Sequence, residues 1–203
     1  MPKFSTTERE RLTALVDAVR QIEEASIVAE GRLLSMRGAI SPTGEVEQEY
    51  TVFDSEPFRS LAMSVRLIYM NDEPANFASI CNVLHKAGEK DLRDAVTDLR
   101  KAYNTFLNGP TIRFSLHGDF EGTTLGPREL FEAWLYGGTF HQDPKRKAMY
   151  AELVKFGPRF TFGLHVVVTQ IVQFFIHLGF IVSTALAEEQ RLHGSSALEQ
   201  PGR

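Results

Sequence analysis

This 203-residue chain has one cysteine, one tryptophan and no excess of positive charge. A lone Cys81 excludes an internal disulfide. The net charge of −4, with Asp and Glu spread along the chain, supplies no basic field that would attract polyanions without a local patch. The N-terminal stretch MPKFSTTERERL lacks the apolar core of a secretory signal, so a cytoplasmic protein is expected. No internal repeat or linker divides the chain, and no motif fixes a reaction or implies a cofactor. The longest absence is of charge itself: from Phe160 to Ala187 there is no Asp, Glu, Lys or Arg.

That run is long enough to cross a membrane, since a spanning helix needs about 20 mostly apolar residues. A basic flank at Lys145, Arg146, Lys147, Lys155 and Arg159 precedes it. Against this stand Gln170, Gln173, His177 and Thr184, which fall within an arc of about 60° on a helix turning about 100° per residue. Lipid offers such a stripe nothing. The preferred reading is a core helix of a soluble bundle, with the stripe against neighbouring polar groups or at a dimer seam, and a C-terminal membrane anchor is the alternative.

Apolar residues at 43 % and charged residues at 24 % are ordinary globular usage, and one domain is the default at this length. The punctuation of the chain is helical. Ser5 with Glu8, or Thr7 with Glu10, forms a capping box ahead of a near-heptad seam of Leu12, Leu15, Val19, Ile22, Ala29, Leu33 and Met36, with small Ser26 offering close approach. Further helices are expected after Ser55-Glu56-Pro57, after Pro74, over Leu92 to Phe106, after Pro127 and after Asp143-Pro144, the last leading through Gly157-Pro158 into the uncharged run. Period-two alternation at Val46, Tyr50 and Val52, and again at Ile112, Phe114 and Leu116, suggests two short strands, with Arg113 opposite Glu47 or Glu49. The expected fold is therefore mainly α, a single bundle of about seven helices over residues 1–192 with a small two-stranded β insertion, and a disordered polar tail over 193–203.

Four groups of residues invite a chemical reading. His117-Gly-Asp119 and His141-Gln-Asp143 carry ligand-type side chains, although Asp143 before a proline reads as a helix cap and no metal centre is assigned. Cys81 and His85 share a helix face, yet a cysteine between Ile80 and Leu84 reads as core. Arg66 and Glu73 read as a structural ion pair, with an anion-binding arginine as the sharper alternative. His141, Asp143, Arg66 and Glu73 are thus secondary site candidates.

The fourth group is Arg159-Phe-Thr-Phe-Gly-Leu-His165. It resembles the R-x(4–6)-H motif of HEPN domains, all-helical modules of ribonucleases in toxin-antitoxin and other bacterial defence systems. Trp134 to Gly138, leading into Phe140 to Pro144, is similar to a segment of bacterial proteins of HEPN-like appearance, and the likeness extends over roughly Glu56 to Gln190. The resemblance implies a homodimer in which Arg159 stabilises a scissile phosphate and His165 transfers a proton, cleaving RNA without metal, or a related RNA- or nucleotide-binding role. Guanidinium and imidazole suit that chemistry. The alternative is a non-catalytic, antitoxin-like interaction or scaffold protein whose polar stripe mates with another chain.

Overall fold

The computed structural model describes residues 4–37, 52–109, 112–113, 121, 124–139 and 143–198. Within them seven α-helices form a bundle: α1 (Thr6–Arg37), α2 (Glu56–Tyr69), α3 (Phe77–Ala87), α4 (Lys90–Leu107), α5 (Pro127–Glu132), α6 (Pro144–Val154) and α7 (Pro158–Leu198). The mainly α expectation holds. A π-helical segment, Ala133–Thr139, continues directly from α5.

Local chemistry starts α1 and α6 where the sequence places their caps, whereas Ser55 ahead of α2 makes no side-chain cap bond. At the head of α1 the Ser5 N–H and hydroxyl donate to the Glu8 carboxylate at 2.9 and 2.8 Å, and the Glu8 N–H donates back to Ser5 Oγ at 3.3 Å. These bonds hold the Glu8 carboxyl below the usual carboxylate range. Asn76 caps α3 by accepting from the Ser79 N–H at 3.1 Å. Asp143 caps α6 by accepting from the Lys145 and Arg146 N–H groups at 2.9 and 3.2 Å.

The β element departs from expectation. Ile112–Arg113 pairs antiparallel with Thr124–Leu125, so Arg113 stands opposite Thr124, while Glu47 and Glu49 lie outside the described residues. The pairing that forms is the one between neighbours in sequence, which needs the shorter loop closure. Val52 opens a 3-10 turn, Val52–Asp54, and the rest of the other expected strand lies outside the described residues. Residues 193–198, expected in a disordered tail, are helical, and the rest of that segment lies outside the described residues. Helix α7 runs on to Leu198, and Pro201 is the first residue beyond Pro158 that cannot continue a helix.

Two long helices organise the core. Leu12, Leu15, Val19, Ile22 and Ala29 of α1 are buried, and α1 packs chiefly on α2 and α7. The inner face of α7 buries Phe160, Leu164, Ile171, Phe175, Leu178 and Val182. Helix α1 approaches α7 closely at Gly179, where an added Cβ would lie 2.9 Å from both Val19 methyl carbons. At the far end Glu189, only 3 % exposed, accepts from the Phe4 N–H at 3.0 Å and from Arg9 Nε and Nη2 at 3.2 and 3.0 Å. That carboxylate ties the start of the chain to the end of the bundle.

Aromatic rings fill the interior in two larger groups, beside the pair of Tyr150 and Phe160. Phe77, Tyr103 and Phe175 join α3, α4 and α7, with the Phe77 and Tyr103 centroids 4.2 Å apart. Phe53, Phe58, Trp134 and Phe131 form the other, and the Trp134 indole N–H donates to the Phe53 carbonyl at 3.3 Å. The π-helical segment lies against α6 because Gly137 leaves its backbone bare where the Arg146 backbone passes; any Cβ there would collide with it.

The contact at Gly179 generates a stability prediction. Gly179→Ala gains up to about 1 kcal/mol of helix propensity, but overpacking against Val19 costs about 1–3 kcal/mol. Denaturant melts should show net destabilisation, with Val19→Ala destabilising less in the Gly179→Ala background than in the parent. Equal effects of Val19→Ala in both backgrounds would mean the two helices do not meet there.

Candidate functional site

Helix α7 has two unlike sides. Its stretch from Arg159 to Leu192 is long and apolar enough to cross a membrane, yet half of its most apolar window is buried inside the bundle. The expected polar stripe is not set against neighbouring helices. Gln170, Gln173, His177 and Thr184 are all exposed, and Phe162 (64 %), Val166 (46 %) and Phe180 (71 %) share their side of the helix. The inner face is saturated by larger apolar residues, so the amides and imidazole keep their hydration outside.

Arg159 and His165 sit on this one continuous helix. Six residues of α-helix separate them by about 9 Å along the axis and about 240° around it, so within one chain they diverge. Arg159 is exposed in the first turn, whereas half-buried His165 lines a notch of about 30 Å³ with Ser26 and Glu30 of α1 and Phe58 and Leu61 of α2. Such a notch holds about one water, not a nucleotide.

The other candidates part company. Arg66 lies in the last turn of α2, its carbonyl accepting from the Met70 N–H at 3.0 Å, while Glu73 lies in the following turn with its carbonyl accepting from the Asn76 N–H. No salt bridge joins Arg66 to Glu73 among the described residues. Asp143 caps α6, and His117, Asp119 and His141 lie outside the described residues. Cys81 is buried and its thiol is pushed up to about 12 by that burial, while His85 is exposed. A thiol so placed is no nucleophile.

The polar centre that sequence reading misses is Glu132, the last residue of α5. Tyr69 Oη donates to its Oε1 at 2.7 Å, and Arg146 Nη2 donates to its Oε2 at 2.5 Å. The Arg146 guanidinium also lies 4.8 Å from the centre of the Tyr136 ring. Burial first, and then the Glu132 carboxylate, hold the Tyr69 phenol well above its usual range, so it stays a donor. This cluster borders a cleft of about 540 Å³ between the end of α2, the start of α3, one face of α4 and the π-helical segment. Clefts of that size commonly take small molecules, and π-helical turns often mark functional sites. Tyr69, Glu132 and Arg146 are far apart in sequence, and only the rare glycine pair after Trp134-Leu135-Tyr136 hinted at unusual backbone there.

Comparison with known proteins adds no constraint: no family model, curated protein or solved structure matches the chain.

Thiol chemistry checks the exclusion of Cys81. With its proton held to about pH 12, only about one molecule in ten thousand carries the thiolate at pH 8. Ellman's reagent should leave the native protein unmodified and titrate one thiol in denaturant. Fast stoichiometric reaction of the native protein would restore Cys81 as a candidate.

Proposed function

We propose that this chain is a helical interaction protein that pairs with a second copy of itself through the outer face of α7. The observation that carries the reading is an uncharged outward face bearing three well-exposed apolar side chains, Phe162, Val166 and Phe180. Scattered exposed apolar residues are ordinary, but a line of them along one helix without a charge among them is the surface of an interface.

The order of residues on that face favours a second copy over an unrelated chain. Read outward from the level of Ile171 and Val172, Gln170 matches Gln173, Val166 matches His177, and Phe162 matches Phe180 to within one residue. A two-fold axis at that level would lay two α7 helices antiparallel, each residue meeting its counterpart as isologous contacts require. Glutamine amides would pair at the centre, with apolar contacts on either side.

A second reading, the HEPN-like metal-independent endoribonuclease, is favoured by a different relation on the same helix. Arg159 and His165 lie three residues to either side of Phe162 and about 60° to either side of its direction. A two-fold axis at Phe162 would bring Arg159 level with the partner's His165, at the same seam between the two chains. Arg159 would then neutralise charge on a phosphate in flight while His165 moved a proton.

Cysteine scanning separates the two, because Cys81 is buried. Oxidation of a Gln170→Cys, Gln173→Cys protein should give a covalent dimer, and Phe162→Cys alone should not. The reverse pattern would move the axis to Phe162. Arg159→Ala and His165→Ala should then each lower RNA cleavage in chelator by roughly 100-fold or more. A monomeric mass with no cross-link in either protein would end both readings, and recovery only in detergent would give the face to lipid.

A further inference from the structure

We infer that the cleft between α2, α3, α4 and the π-helical segment is a binding site for a small planar phosphate ester of the nucleoside monophosphate class. This site is separate from the α7 face, and it is lined by polar groups whose hydrogen-bonding capacity the fold leaves partly unused.

Tyr103 is 7 % exposed and lines the cleft, and its hydroxyl makes no hydrogen bond to a described residue. Arg128, half-buried on α5, lines the same cleft with no hydrogen bond or salt bridge to a described residue. It lies close enough to Tyr69 and Tyr103 for its charge to favour their ionised forms against burial. Tyr136 donates its hydroxyl only to the Met70 sulfur, at 2.8 Å, and a thioether is a weak acceptor. Buried polar groups are normally satisfied, so the Tyr103 hydroxyl, with half-buried Arg128 and Tyr136 on the same cavity, points to a ligand with acceptor atoms.

The walls define its chemistry. On α4, Arg100, Tyr103 and Asn104 stand on one helix face, and Arg100 is steadied by donating to Asn82 Oδ1 at 3.0 Å. The N-terminus of α3 opens on the same space at Phe77 and Ala78, adding backbone N–H groups and the positive end of an eleven-residue helix. Of the two carboxylates on the lining, Glu132 is already engaged by Tyr69 and Arg146, which leaves exposed Asp72 at the rim. Arg100, Arg128 and the helix end form a seat for a phosphate. The rings of Tyr69 and Tyr136 offer faces for a planar group, and the side chains of Asn71 and Asn104 offer amides for its edge.

Calorimetric titration of the full chain with AMP, GMP, CMP and UMP tests this, with the nucleosides and inorganic phosphate as separate arms. At least one nucleotide should bind, with its nucleoside and inorganic phosphate each weaker by roughly tenfold or more. Arg128→Gln should weaken that nucleotide by a similar factor, and Tyr103→Phe by a few-fold, both variants keeping the parent's circular dichroism. Arg20→Gln, on exposed α1 surface, should change nothing. The inference is overturned if none of the four nucleotides binds, if inorganic phosphate binds as tightly as they do, or if folded Arg128→Gln retains the parent's affinity.

Discussion

The burial of one side of α7 is the constraint on which the rest of the bundle depends. Helix α1 lies along it, α4 brings the Tyr103 and Phe106 rings to it, and α3 reaches it through Phe77. The spacing is set at Gly179, whose missing side chain lets the Val19 methyls lie close to the α7 backbone. Glu189 fixes the far end by binding both the Phe4 N–H and the Arg9 guanidinium. A helix held this firmly on one side presents its other side as a rigid surface, and rigid surfaces lose little entropy on docking.

The second organising element is the π-helical segment. Its backbone passes tightly against α6 at Gly137, and α6 in turn carries Arg146 to Glu132. Packing therefore positions a charge-assisted cluster whose members come from α2, α5 and α6. The cleft beside it lies where the end of α2, the start of α3 and the π-helical segment meet one face of α4.

Much of the architecture is legible in the chain because its signals are local. Ser5 with Glu8, and Asp143, cap helices through atoms two or three residues away, so spacing alone identifies them. The α1 seam is legible for the same reason, since helix periodicity decides which side chains share a face. The strand partner of Arg113 is not, because period-two alternation marks a strand without saying which other strand it joins. Nor is the absence of an Arg66 to Glu73 bridge, which depends on how the turn after α2 directs Glu73.

The sequence by itself determined the helical class, the helix starts and the amphipathic faces, all of which rest on interactions within a few residues. It also determined that α7 carries a stripe of amides, imidazole and hydroxyl on an otherwise uncharged surface. Only the tertiary structure decided that this stripe faces outward, because a helix with apolar residues on most of its circumference has several faces that could be buried. Which one is buried depends on volumes supplied by α1, α3 and α4. The same holds for Glu132 and its cleft: long-range packing brings together residues whose separation in sequence carries no period and therefore no signal.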